Sequence, residues 1–294
     1  MCYRCRLHRP GRARMLRRLR RPTPAQNLHP AMRFTVLGSS GFIGSHLVTH
    51  LRGLGHEVLT PGRDELHSLS EPLGHAIYAI GLTADFRNKS FETVRAHVTV
   101  LANLLENARF DSLTYLSSTR VYSGASSGRW DAAISVRSTD GSDLYNLSKL
   151  MGESLCLNTG RQGVKVVRLS NVVGAGDPHS ANFLFSLIKE AQAGCINLQS
   201  DPRSSKDYIH LDDVVEMLTR IASMGRRNTY NLASGMNLTH AAWVEALHGL
   251  TGCQINYPQE KAPVIFPPID ISALKSEFHF TPRLVLDILP DLLY

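Results

Sequence analysis

RFTVLGSSGFIGSHL, residues 33–47, decides how this chain is read: a short run of apolar and β-forming residues, three glycines spaced G-x-x-G-x-x-G, then an apolar pattern of helical period. Arg33 to Leu37 reads as a strand. Apolar residues at 42, 43, 47, 51 and 54 read as one face of a helix from Phe42 to Leu54. Glycine at 38 permits a tight turn, glycine at 41 lets a ligand approach the backbone with no Cβ in the way, and glycine at 44 lets helix and sheet pack closely. Gly38, Ser40, Gly41, Phe42, Ile43 and Gly44 thus make a turn that offers the N–H groups and positive end of a helix to phosphates.

Downstream, short apolar runs alternate with longer helical stretches, the pattern of a parallel sheet with crossover helices. Strands are expected at Glu57 to Thr60, Ala76 to Ile80, Ser112 to Leu116 and Val164 to Leu169. Between the last three, Val94, Val98, Leu101, Leu104, Leu105 and Ala108 share one helical face, and a helix is expected at Asp143 to Asn158. Later helices are expected at Asn182 to Ala193, Leu211 to Ser223 and Leu238 to Gly249. The fold class is α/β: a Rossmann-type, doubly wound parallel sheet over residues 32–170, with a small C-terminal substrate lobe over 171–294 from which 204–232 return to the core.

The 294 residues, 43% hydrophobic and 19% charged, are enough to bury a full core. The net charge of +7 is misleading as a sign of nucleic-acid binding, because residues 1–31 hold nine arginines and no acid while the remainder has 23 basic and 25 acidic residues. This leader reads as a disordered basic extension, with Met32 as the natural start. An Arg-rich, acid-free leader is also a transit-peptide composition, although it lacks serine. No run of 18 apolar residues appears, so no membrane span is expected and a cytoplasmic setting follows. Five scattered cysteines (2, 5, 156, 195, 253) suit a reducing compartment, and the Cys2/Cys5 pair has no companion for zinc; no metal is expected.

Two further patterns carry chemistry. The second strand ends Leu59-Thr60-Pro61-Gly62-Arg63-Asp64, where glycine removes a carboxylate that would repel a ribose 2′-phosphate and Arg63 can pair with one. NADP is therefore favoured over NAD, with Asp64 as the residue that could still take NAD hydroxyls. In Tyr145-Asn146-Leu147-Ser148-Lys149, the tyrosine and lysine lie at i and i+4 on one helix face. A neighbouring ammonium is expected to lower the phenol pKa and make Tyr145 a usable acid/base, and the lysine could also hold the nicotinamide ribose. Ser117-Ser118-Thr119 follows the fourth strand, at the sheet edge where open α/β folds bind ligands.

With LSSTRVYSG (116–124), YNLSK (145–149), VVRLSNVVGAG (166–176), KDYIHLDDVV (206–215) and YNLASG (230–235) added to the glycine turn, the chain resembles the extended short-chain dehydrogenase/reductases, in particular the NAD-dependent epimerase/dehydratase family that modifies nucleotide sugars. The resemblance implies Ser118 as the catalytic Ser/Thr, Tyr145 as acid/base with Lys149 as its partner, Asn171 on the substrate phosphates or nicotinamide edge, and Ala79 and Gly81 close to the cofactor. It also implies a nucleotide-sugar substrate and a homodimer formed through the helices after strands three and four. Thr119-Arg120 stand where dehydratases of the family carry Asp-Glu, which disfavours water elimination. His97 and Lys206 depart from the common Asn and Arg. His210 is expected to be structural, with Asp212 capping the helix that opens beside it. Trp243, spaced with Leu247 and Leu250, reads as packing. The rival reading is a catalytically silent dinucleotide-binding regulatory or scaffolding protein.

Overall fold

The structure, a computed structural model, describes residues 30–67, 71–82, 86–175, 183–258 and 260–293. Almost all of the basic leader, with Cys2 and Cys5, lies outside the described residues, as do Gly176 and Asn182. The chain runs β1 (Arg33–Leu37), α1 (Phe42–Gly53), β2 (Glu57–Leu59), a 3₁₀ turn (Arg63–His67) and β3 (His75–Tyr78). It continues through α2 (Ser90–Val94), a π-helical turn (Arg95–Thr99), α3 (Val100–Asn107), β4 (Ser112–Ser118), a second 3₁₀ turn (Thr119–Tyr122), α4 (Asp143–Asn158), β5 (Val164–Leu169) and β6 (Asn171–Val173). The remainder comprises α5 (Phe183–Gln192), β7 (Cys195–Asn197), β8 (Ser205–His210), α6 (Leu211–Met224), β9 (Thr229–Leu232), β10 (Asn237–Thr239), α7 (His240–Thr251), β11 (Gln254–Asn256), α8 (Ser272–Phe278) and α9 (Leu289–Leu293).

Among the described residues, six strands form a parallel sheet in the order β2-β1-β3-β4-β5-β9. The chain winds outward from β1 to β2 and then crosses to β3 on the other side of β1. The order therefore reverses between β1 and β3, the point where such sheets open a crevice at their C-terminal edge. Strand alternation feeds both faces: Val164 and Val166 of β5 join Leu101, Leu104, Leu105 and Tyr115 in one core, whereas Val167 and Leu169 join Leu47, Leu51, Leu218 and Ile221 in the other. Trp243, fully buried against Tyr208, centres a further core with Leu184, Leu187, Ile188 and Leu247; Leu250, expected beside it, is exposed.

A buried ion pair ties the sheet to α4. Arg168, in the interior of β5, meets Glu153 in two-pronged fashion at 2.7 and 3.0 Å and donates to the Tyr122 hydroxyl at 2.7 Å, which passes on to Asn231 at 2.8 Å. One network thus joins β5, α4, the turn after β4 and β9.

Several expected boundaries move. β3 ends at Tyr78 rather than Ile80, freeing residues 79–81 from the ladder, and β4 extends to Ser118 rather than Leu116. The largest difference lies in the helix expected from Val94. The π-helical turn at Arg95–Thr99 shifts its face by one residue, so Thr93 and His97 are fully buried while Val94 is exposed. Asp212 does not cap α6: His210 is the N-cap, its Nδ1 accepting from the Asp212 N–H at 3.1 Å, and Asp212 stands in the first turn.

Candidate active site

The glycine turn is held by its own backbone. Gly38 has φ +89, and a Cβ there would fall 2.9 Å from the Ala79 carbonyl and the Ile80 nitrogen, so the turn lies flush on the chain leaving β3. A Cβ on Gly44 would overlap the Gly38 carbonyl; the close packing expected between helix and sheet is instead between helix and turn. A Cβ on Gly41, by contrast, would meet only the Gly38 oxygen at 3.4 Å. The protein itself leaves that side open. No side chain caps α1 and no acid sits in its first turn, so its leading N–H groups face the cleft with their positive charge uncompensated.

That cleft encloses about 900 Å³ and runs from Gly41, Phe42, Ile43 and Gly44 past Ala79, Ile80 and Gly81 to Ser118, Tyr145 and Lys149, then to Asn171 and Lys206. A glycine cradle that a side chain would fill, joined to an uncapped helix start, fits a dinucleotide pyrophosphate. Gly38 and Ser40 build the turn but do not line the cleft wall. Arg63 stands apart from it, exposed at the head of the 3₁₀ turn after β2, where the Glu65 carboxylate folds back onto the Gly62 N–H.

Ser118 is the last residue of β4, and its hydroxyl accepts from the Arg120 N–H at 3.1 Å. The neighbouring hydroxyls are spent elsewhere: Ser117 donates to Glu153 at 2.5 Å and Thr119 to the Leu169 carbonyl at 3.4 Å. Tyr145, in the first turn of α4, is buried between Phe86 and His97, each ring centroid 5.3 Å away. Burial raises its phenol above the ordinary value, opposed by a hydrogen bond with Ser118 and the charge of Arg120.

Lys149 lies one turn on, as the spacing requires, but it is not what pulls the phenol down. Its ammonium donates to the Leu116 carbonyl at 2.8 Å and stands 5.9 Å from the Tyr145 ring centroid. Burial lowers its own pKa to about 7, with Glu153 opposing. The lowering of the phenol expected from the Tyr145/Lys149 spacing is outweighed by burial, with Ser118 and Arg120 opposing the rise.

His97, brought inward by the π-helical turn, completes this floor. Ser148 gives its proton to the Tyr145 carbonyl at 2.9 Å, so the 2.8 Å contact between His97 Nδ1 and Ser148 Oγ has the imidazole as donor. Its Nε2 is left to accept the Leu82 N–H at 3.3 Å. Burial, with the nearby Lys149 charge, drives its pKa to about 2 and keeps it neutral.

On the far wall Asn171 donates to the Asp207 carbonyl at 2.8 Å. Lys206 lies over the rings of Phe183 and Tyr208, its pKa lowered by burial and by Arg120, and Phe183 stacks on His240 at 4.1 Å. The sequence did not single out Phe86, Arg87, Phe183 or His240 as cleft residues, because each arrives from a loop or helix start with no motif around it. For His97 the available signal was its departure from a common asparagine.

A model described as the NAD dependent epimerase/dehydratase family matches residues 34–233. Among curated proteins, dTDP-4-dehydro-6-deoxy-D-allose reductase of a Streptomyces species is 26% identical over 302 aligned residues, covering 84% of this chain and 91% of that protein. GDP-6-deoxy-D-mannose reductase of Pseudomonas aeruginosa is 28% identical over 262, covering 78% and 84%. The solved structure of RMD from Pseudomonas aeruginosa complexed with NADPH shares the fold at TM-score 0.74 and 22% identity, over 90% of this chain and 98% of that one.

Proposed function

Because the chain belongs to the NAD dependent epimerase/dehydratase family, we propose that it is a nicotinamide-dependent oxidoreductase of nucleotide-linked sugars, working in the reductive direction with Tyr145 as proton donor. The observation that carries the reading is the place of the Tyr145 phenol, protonated at neutral pH and hydrogen-bonded with Ser118 on the cleft wall, where it can give a proton to a sugar carbonyl as it becomes a hydroxyl. The likeness to two nucleotide-sugar reductases supports the same direction.

Gly41 to Gly44 and the start of α1 would hold the dinucleotide phosphates, Ala79 and Gly81 would pass along its edge, and Arg63 would take a 2′-phosphate, favouring NADP. Bound there, the nicotinamide supplies hydride at its C4. The chain's own residues do the rest. Ser118 donates a hydrogen bond to the carbonyl oxygen and fixes it against Tyr145. Tyr145 releases its proton as negative charge develops on that oxygen. Lys149, held by the Leu116 carbonyl, lies beneath the site. His97 and Ser148 fix the Tyr145 backbone and the Leu82 amide without carrying charge. Asn171 and Lys206 would meet the substrate phosphates, and selection of the sugar falls to the lobe of residues 171–294, with 204–232 returning to the sheet.

We assign a homodimer to the outward faces of α2 and α4, where Phe91, Val94, Met151 and Leu157 are exposed. Among the described residues no helix is long and apolar enough to cross a membrane. The test of the proposal is NADPH consumption against nucleotide-linked keto sugars. Stoichiometric formation of NADP⁺ with a reduced sugar supports it; turnover that inverts a sugar carbon with no net cofactor change would make the protein an epimerase instead.

A further inference from the structure

Two arginines on the cleft wall lie against one aromatic ring. The Arg120 guanidinium lies 5.3 Å from the centroid of Phe86 and 5.8 Å from that of Tyr145, and the Arg87 guanidinium lies 4.7 Å from Phe86. Ser142, just ahead of α4, orients both: its carbonyl accepts from Arg120 at 3.4 Å and its hydroxyl from Arg87 at 3.2 Å. Among the described residues neither arginine has a carboxylate partner. Asp140 accepts from the Ser142 N–H and Asp143 from the Arg137 N–H and the Asn146 amide, and both act on Arg120 only through space. The Arg120 Nε is buried with no acceptor at all.

Such an arrangement is costly on its own. Arg120 is partly buried, and its pKa is pulled below the ordinary value by burial and by Arg87, with Tyr145, Asp143 and Asp140 opposing. An anion seated against the Arg120 guanidinium would give it the charge partner it lacks and offset the nearby Arg87 charge. The fork geometry of guanidinium suits a planar, two-oxygen acceptor.

We propose that Arg120, with Arg87 against the same Phe86 ring, receives a carboxylate carried on the sugar ring of the substrate, beside the carbon whose oxygen Tyr145 protonates. The assignment rests on the nucleotide-sugar reading above and names its substrate class as an acidic sugar. Position selects the ring carboxylate over the diphosphate. The Arg120 N–H bonds the Ser118 hydroxyl and its guanidinium lies 5.8 Å from the Tyr145 ring centroid, the two residues that would hold the reacting oxygen, whereas the diphosphate is assigned above to Asn171 and Lys206. Lys206 reaches a separate aromatic pair, Phe183 and Tyr208.

Matched ligands separate the two anions: UDP-glucose with UDP-glucuronic acid, and GDP-mannose with GDP-mannuronic acid, each pair differing only in the C6 group. Calorimetry on the full chain saturated with NADPH is expected to show at least about tenfold tighter binding of the acidic member of one pair, as befits a desolvated two-pronged contact. Arg120→Gln should bring that ratio close to one through weakening of the acidic member, and Arg87→Gln, at an exposed residue, should lower it in part. Equal affinity within both pairs for the unaltered protein overturns the acidic subsite and leaves the nucleotide-sugar reading standing. A variant in which both members weaken together, with the ratio kept, assigns Arg120 to the diphosphate and also overturns it. Binding of none of the four with NADPH in place overturns the nucleotide-sugar reading, and the subsite with it.

Discussion

His97 donates from Nδ1 to the Ser148 hydroxyl at 2.8 Å, and Ser148 in turn donates to the carbonyl of Tyr145 at 2.9 Å. A neutral imidazole thereby fixes the backbone of Tyr145 while its Nε2 holds the Leu82 amide. The relationship has a cost in acid. The His97 pKa falls from an ordinary 6.5 to about 2 by burial, so between these values the unfolded chain binds a proton that the folded protein refuses. Stability from this group is full above about pH 6.5 and declines as the pH drops toward 2. In thermal melts from pH 7 to 4, His97→Asn should show a shallower loss of Tm than the unaltered protein; parallel curves would remove His97 from the acid response.

Lys149 acts with the same sign in a higher pH window. Its folded pKa of about 7 lies below the ordinary 10.5, so the unfolded chain binds the extra proton between those values and stability rises with pH across that window. Lys149→Met should therefore gain stability relative to the unaltered protein most clearly below pH 7, with the gap closing toward pH 10. NADPH affinity should fall in the same variant if the ammonium also meets the cofactor.

The glycine turn separates folding from binding. Gly44→Ala forces a Cβ into the Gly38 carbonyl and should lower Tm by several degrees, about 1–3 kcal/mol for an overpacked site. Gly41→Ala has room within the protein and should melt within a degree or two of the parent, yet bind NADPH at least about tenfold more weakly because the methyl occupies the phosphate approach. Equal effects from both substitutions would count against a phosphate seat.

Much of this was legible beforehand, for identifiable reasons. The strand, glycine turn and helix at residues 33–53 are local in sequence, and their chemistry is carried by residue type, so both the sheet and the cofactor seat follow from them. Tyr145 and Lys149 come together because four residues make one helical turn. What the sequence hid were effects of inserted or nonlocal geometry. The π-helical turn moves the buried face from Val94 to His97 and leaves no mark in hydrophobic period. The Lys149 ammonium turns to Leu116, thirty-three residues away, rather than to its helical neighbour. Arg120 reads in sequence as the loss of an acid; only with Phe86 and Arg87 in place does it become a gain of positive charge.

Arg63 provides a fourth expectation. It is exposed at the end of β2, and the Glu65 carboxylate sits close by on the Gly62 N–H. Arg63→Ala should weaken NADPH about tenfold while leaving NADH unchanged, the loss of one charge-assisted phosphate pair. Glu65→Gln should strengthen NADPH, since it removes a like charge from the 2′-phosphate. Identical NADPH and NADH affinities in all three proteins would remove the preference for NADP and the role of Arg63 in it.

The buried pair of Arg168 and Glu153 should be severe to break from one side. Glu153→Gln leaves a guanidinium under the sheet without its charge partner, at a cost of about 3–5 kcal/mol in chemical denaturation. A loss below about 1 kcal/mol would place the pair among interactions that contribute little.

The central claim is hydride transfer to a sugar carbonyl with Tyr145 giving the proton, and isotope transfer tests it most directly. NADPH deuterated at the transferred position of C4 is incubated with a panel of nucleotide-linked keto sugars, neutral and carboxylated, and the products are examined by mass spectrometry. The account predicts one deuterium in the reduced sugar per NADP⁺ formed, with Tyr145→Phe lowering the rate by about 10²–10⁴ while binding NADPH as before. Tight NADPH binding with no deuterium delivered to any sugar, or full-speed transfer by Tyr145→Phe, would contradict it.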